Sequence, residues 1–349
     1  MELSVNVDLT GPVPGLRPYL RDVEAAGADM AWVPEAYGRD AASLLGYCAA
    51  VTDRMRLGSG IVNVYSRSPA LIAQTAATLD ELTGGRFELG LGASGPQVIE
   101  GWHGMPFGRP LTRTREVVTV CRQAWRREEP VSFRGKVIQV PLDPARGTGL
   151  GKPLKLITHP VRPDIPVWLA SIGPGNVQLA AEIAHGWLPI LFIPERAGDV
   201  WGDALAAGRA LRAPGLPPLR IGAGGHAEVT SGSPAAIRAA RDRARPSLAR
   251  YIGGMGAATA NFYNELIRRY GFAADAERVQ RLYLGHQAKD AAAALPDALV
   301  EALTVCGPAS YVRDRLAAYA EAGVTSFRIN VNAGSDGPKA VEQLCELLP

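Results

Sequence analysis

Residues Arg56 to Gly92 read RLGSGIVNVYSRSPALIAQTAATLDELTGGRFELGLG, and the hydrophobic period changes twice along the stretch. Arg56–Val64 is short, apolar and rich in β-branched residues, which predicts a strand. Leu71, Thr75, Thr78, Leu79 and Leu82 then recur at helical spacing. Thr83-Gly84-Gly85 ends that helix, because glycine accepts the left-handed conformation past a helix end at little cost. Phe87–Leu91 returns to a strand pattern. A strand, a helix and a second strand joined in this way run parallel, with the helix packed on one face of the sheet.

The same unit repeats outward from this segment. Strands are predicted at Leu3–Leu9 and Met30–Val33 before it, and at Val167–Ala170, Trp187–Ile190, Leu219–Val229 and Ser326–Val331 after it. Helical periods separate nearly all of them, at Leu16–Ala26, Ala41–Val51, Thr112–Arg127, Asn176–Ala184 and Glu195–Leu211, with Lys339–Leu348 closing the chain. Eight strands alternating with helices favour a closed (β/α)8 TIM barrel of the α/β class over an open sheet. No low-complexity linker or internal repeat divides residues 1–349, so one domain is expected. Two stretches exceed a minimal barrel: about 128–165 reads as a hairpin insertion and about 252–308 as a helical one. Both are expected to hang from βα loops on the C-terminal face, where they would cover a site.

Lys and Arg are scattered among Asp and Glu, leaving a net charge of +3. Without a basic stripe interleaved with aromatics, nucleic acid is not an expected partner. The N-terminal MELSVNVDLTGPVPG has no basic and apolar signal pattern, and no apolar run approaches a bilayer span, so a cytoplasmic protein without membrane association is expected. Cys48, Cys121, Cys306 and Cys345 stand far apart with no CxxC spacing, as suits reduced, buried thiols. No HExxH, no GxSxG and no His/Asp cluster of ligand spacing occurs, so no metal is expected.

Two glycine loops carry the functional signal. GLGASG, with Gly90, Gly92 and Gly95, matches the dinucleotide fingerprint by letter. Its context does not, because Pro96, Gly104, Pro106, Gly108 and Pro110 follow and delay any long helix to about Thr112. Small residues at a strand end are better read as letting a flat cofactor approach the backbone. SIGPGN, Ser171–Asn176, lies between a strand and a helix, where free N–H groups and the helix dipole favour a phosphate; an ordinary tight turn is the competing reading.

The Gly58–Gly92 segment, together with VPEAYGRD (Val33–Asp40), EGWHGMPFGRPLTRTRE (Glu100–Glu116), PVWLASIGPGNVQLAAEIAHGWLP (Pro166–Pro189) and GPASYVRDRLAAYAEAGVTSF (Gly307–Phe327), resembles the bacterial luciferase-like superfamily. The likeness is to its coenzyme F420-dependent oxidoreductase branch, of the methylenetetrahydromethanopterin reductase type. The resemblance implies a non-prolyl cis peptide at Gly60-Ile61 supporting the deazaflavin ring, and Asn63 at the ring's polar edge. It puts Gly92, Ala93 and Ser94 near the ring, and Ile172, Gly173, Gly175 and Asn176 about the cofactor phosphate. Glu35 aligns with a polar residue facing ring and substrate. His185 and Gly108 stand where relatives often carry Asp.

With the hydride chemistry belonging to the cofactor, no dense catalytic constellation is needed. Glu35 and His103 are the candidates to deliver a proton, with Tyr37 and Trp102 near the substrate and Trp32 packed beneath the site. The competing readings are a salt bridge from Glu35 to Arg39 or another arginine, and a backbone-bonded loop histidine. Arg67, Arg109, Arg113 and Arg115 could line the exit of an anionic cofactor tail. The function implied is hydride transfer between the deazaflavin C5 and a small organic substrate. The alternatives are an FMN-dependent luciferase-like monooxygenase using reduced flavin and oxygen, and a cofactor-binding protein without turnover. By analogy with relatives, a homodimer or higher homo-oligomer is expected.

Overall fold

The computed structural model describes residues 1–7, 13–330 and 337–349. In chain order the elements are β1 (Glu2–Asn6), α1 (Leu16–Ala25), β2 (Met30–Val33), α2 (Ala41–Ala49), β3 (Arg56–Ser59), β4 (Val62–Asn63), α3 (Pro69–Leu82), β5 (Phe87–Gly92), α4 (Pro96–Gly101) and α5 (Pro110–Arg126). There follow β6 (Phe133–Arg134), β7 (Gln139–Val140), β8 (Val167–Ala170), α6 (Pro174–Ile183), β9 (Gly186–Leu188), α7 (Pro194–Ala210) and β10 (Arg220–Val229). The last stretch holds α8 (Pro234–Asp242), α9 (Arg245–Ala249), α10 (Phe262–Arg269), α11 (Ala273–Leu284), α12 (Ala288–Ala293), α13 (Asp297–Ala302), β11 (Thr304–Gly307), α14 (Ala309–Glu321), β12 (Ser326–Asn330) and α15 (Gly337–Cys345). The predicted strand ends Asp8–Leu9 and Val331 lie outside the described residues.

Parallel pairing runs β12, β1, β2, β3, β5, β8, β9 and β10, and closes between β10 and β12. This is the expected (β/α)8 barrel. The predicted third strand is two strands, β3 and β4, interrupted at a cis peptide between Gly60 and Ile61. The α3 helix ends where predicted, at Thr83, with Gly84 and Gly85 both at positive φ.

The alternation of side chains sorts the strands into two cores. Leu3, Val5, Ala31, Val33, Leu57, Leu89 and Leu91 join the shell under the helices, whereas Met30, Trp32, Trp168 and Leu188 form a separate cluster in the lumen. Trp32 and Trp168 meet edge to face at 5.2 Å. Gly186 makes room for this layer: a Cβ there would lie 2.0 Å from the Trp168 ring. Below the tryptophans Glu88 joins Arg56 at 2.8 Å and Arg220 at 2.6 Å, a charged plug at the N-terminal end of the lumen.

Three sequence expectations change. The hairpin β6–β7 exists, but it connects the end of α5 to the start of β8, an αβ connection and not a βα loop. Glu116 of α5 accepts N–H groups from Lys136, Val137 and Ile138, so the hairpin folds back along the barrel's flank. The helical insertion does follow β10, on the C-terminal side, but the stretch 252–308 ends in a strand, β11, paired to the far half of β10. A short helix, α4, occupies part of the predicted loop after β5. Pro96 does not prevent it because proline fits a helix's first turn, where its missing N–H costs nothing.

Candidate active site

The C-terminal ends of β3, β4, β5 and β8 form one continuous patch of the barrel mouth. Asn63 lies opposite Gly92, and Gly92 opposite Ala170. Ile61 fills the space over Gly92, where a Cβ would come within 2.9 Å of its Cδ1. The surface here is therefore apolar and floored by the cis Gly60–Ile61 segment, with Trp32 fully buried directly under Gly60. Gly90 serves a different purpose from the one its motif suggests. A Cβ there would strike the Ser59 carbonyl at 1.9 Å, so this glycine allows two strands to close, while the Ser59 hydroxyl bonds the Gly90 backbone.

Four residues past Ala170, α6 begins at Pro174 with Gly173 as its N-cap and no side-chain cap. The amides of Gly175 and Asn176 are thus first-turn donors that no described side chain satisfies, aimed out of a positive helix end. The loop before them is anchored from behind: Trp187 donates to the Ser171 carbonyl at 3.0 Å and Trp201 to that of Ile172 at 2.9 Å. A space lies free beside Gly173. An apolar floor next to an uncapped helix start fits a flat ring carrying an anionic tail.

The Asn63 oxygen accepts from the N–H groups of Tyr65 and Ser66, at 3.0 and 2.7 Å, so its amide nitrogen is the atom 3.2 Å from His103 Nε2. His103 Nε2 is then an acceptor and its proton resides on Nδ1. Tyr65 secures this arrangement, with its hydroxyl donating to Gly108 O at 3.0 Å and its ring stacked on Phe107. Ser94, between β5 and α4, has a φ of 58°, a conformation unusual outside glycine.

Glu35 is placed at the rim with no free oxygen. Arg67 grips both carboxylate oxygens at 2.6 and 2.7 Å, and the Ala41 N–H donates at 2.9 Å. Of the two readings of Glu35, the geometry is that of the salt bridge, and its partner is Arg67. Tyr37 and Trp102 stand exposed on the rim loops, 59% and 66% accessible. Of the arginines considered for a tail, Arg67 is committed to Glu35 and Asp40, Arg115 binds Glu182, and Arg113 lies over the Tyr65 ring at 4.6 Å. Arg134 and Lys136 were not foreseen. The flank hairpin brings them into a groove of about 620 Å³ that reaches Gly175. His185 is buried at the other end, accepting from Val167 N–H and 3.3 Å from Asp164, away from the mouth.

The closed parallel barrel is a (β/α)8 fold, and the proteins it resembles are oxidoreductases. Residues 5–326 match the family model described as luciferase-like monooxygenase, and the chain belongs to that family. A Mycobacterium tuberculosis protein carrying the name of a coenzyme F420-dependent oxidoreductase is 42% identical over 314 residues, covering 89% of this chain and 88% of its own. The 5,10-methylenetetrahydromethanopterin reductase of Archaeoglobus fulgidus is 27% identical, covering 96% and 95%. Among solved structures, the coenzyme F420-dependent tetrahydromethanopterin reductase from Methanopyrus kandleri superposes with a TM-score of 0.81 at 22% identity, over 99% of this chain and 98% of that one.

Proposed function

We propose that the protein is a coenzyme F420-dependent oxidoreductase acting on a small organic substrate. The observation that carries this reading is the adjacency of the apolar Gly60–Ile61 floor and the uncapped start of α6, joined through the paired Gly92 and Ala170. Ile61, Asn63, Gly92, Ala93 and Ser94 would border the ring, and Ile172, Gly173, Gly175 and Asn176 the phosphate. Bound F420 supplies a hydride donor or acceptor at C5. The 42% identity to a protein named for F420 supports this cofactor over FMN.

The chain's own residues position and exclude water. The buried Trp32–Trp168 layer fills the lumen below the floor, which leaves the floor facing the mouth. His103 is the residue suited to move a proton, since Asn63 fixes its tautomer and leaves the Nδ1 proton without a partner among the described residues. Glu35 positions Arg67 and the start of α2.

Titration of the purified protein with F420 and with FMN, followed by fluorescence quenching, tests the assignment. Saturable F420 binding with much weaker FMN binding is the expected result. Tight FMN binding with none of F420 overturns it.

A further inference from the structure

In β12 the side chains of Phe327 and Ile329 are fully covered in the outer shell, so Ser326, Arg328 and Asn330 face the lumen. The neighbouring layers agree with this. Ser326 Oγ lies 3.0 Å from Ser4 Oγ below, and Asn330 accepts from the Asn6 amide above, at the exposed rim. Arg328 therefore occupies the upper lumen, one layer beneath the mouth. Its Nη2 donates to the Pro189 carbonyl at 3.1 Å, beyond the end of β9. To reach it the side chain must cross β10, whose lumen positions there, Gly222 and Gly224, carry no side chain.

The charge of Arg328 is unlike that of the other lumen arginines. Arg56 and Arg220 both pair with Glu88 at the closed end, but Arg328 makes no ion pair among the described residues. Burial holds its pKa below the ordinary value, and the Tyr251 phenol, from the π-helical turn Arg250–Gly254, is the group that acts in the opposite sense. A largely buried guanidinium that finds no counter-charge among the described residues is costly, and an anion from outside would relieve that cost. The cofactor phosphate has its own donors at α6, after β8, and β8 is separated from β12 by both β9 and β10. A guanidinium fork takes carboxylate or phosphate alike, but with the cofactor phosphate placed at α6 and a single cation here to balance, a singly charged carboxylate is the fitting group.

We propose that Arg328 is the specificity-determining residue of the substrate pocket and that the substrate carries a carboxylate, which the guanidinium binds. The inference rests on the F420 reading for the position of the ring, and its test separates the two. Acetate, butyrate and benzoate, each beside its amide, are titrated by calorimetry into wild type, Arg328→Met and Arg328→Lys, with and without F420. At least one acid should bind wild type about tenfold or more tighter than its amide. That preference should vanish in R328M and partly return in R328K, with F420 affinity unchanged within about twofold. Thermal melts identify a variant that fails to fold, in which case R328K against wild type decides. An Arg328-dependent acid preference without F420 binding upholds the anchor and removes the cofactor. Equal binding of acids and amides to wild type, no binding of either, or loss of F420 affinity in folded R328M overturns the proposal.

Discussion

Asn63 accepts two backbone N–H groups with its oxygen, so its nitrogen alone can face His103. That fixed amide determines which imidazole nitrogen holds the proton, a relation between residues 40 positions apart that no local motif encodes. Replacing His103 with Gln keeps a polar partner for Asn63 but removes the imidazole. Turnover should fall about a hundredfold or more while F420 affinity is retained, as measured by steady-state rates beside titration. A second residue, remote from the mouth, contributes to acid stability. Burial pushes the Glu24 carboxyl up, but N–H donation from Met55, Arg54 and Asp53 outweighs it and holds the pKa below the ordinary 4.5. The folded pKa is depressed, so this stabilisation is fully present above about 4.5 and disappears as pH falls through the lower, folded value. Glu24→Gln should lose about 2 kcal/mol at neutral pH and show a flatter stability decline below pH 4.5, measured by urea unfolding across pH.

The α6 start shows what an element can do that its residues cannot do singly. Gly175 and Asn176 bring no charge, yet on the proposed reading their amides and the helix dipole together would hold a phosphate. Asn176→Asp puts a carboxylate of equal size at the third helical position. The change should leave thermal stability equal or slightly higher, since acids favour a helix start. F420 and FMN affinity should fall about tenfold, while the phosphate-free ring compound keeps its affinity. Equal loss for both would place the effect elsewhere. SIGPGN was legible because a strand, a glycine turn and a helix start are contiguous. So were most barrel strands and their helices, whose periods are local. The fate of the β6–β7 hairpin was not, because the contact that decides it is Glu116 collecting three amides some twenty residues away. The short β11 was hidden for a related reason: Thr304–Gly307 is four residues in a helical neighbourhood, and only β10 makes it a strand. Glu35 was legible as either proton donor or ion-pair partner, and the choice depended on Arg67, from the far side of β4.

Across the whole molecule the lumen runs from charge through aromatic packing to the Gly60–Ile61 floor of the mouth. At the closed end Glu88 is 3% exposed and answers two cations, Arg56 and Arg220, while the Trp168 indole N–H also donates to it. Arg220 stacks over the same Trp168 ring at 4.6 Å. Since β3, β5 and β10 each contribute one member, the plug joins three separate strands of the barrel. Removing the anion alone leaves Arg220 without its carboxylate and Arg56 with only the half-exposed Glu2, whereas removing charge from both sides leaves no such imbalance at Arg220. Glu88→Gln should therefore cost about 2 to 3 kcal/mol, read from urea unfolding, and the paired Glu88→Leu, Arg220→Leu variant should recover part of that loss. Neither change should alter F420 affinity, because the Trp32–Trp168 layer separates the plug from the Gly60–Ile61 floor. If Glu88→Gln weakened F420 binding while stability held, the tryptophan layer would be transmitting a change of shape from the closed end, and the barrel could not be treated as a rigid support for its mouth.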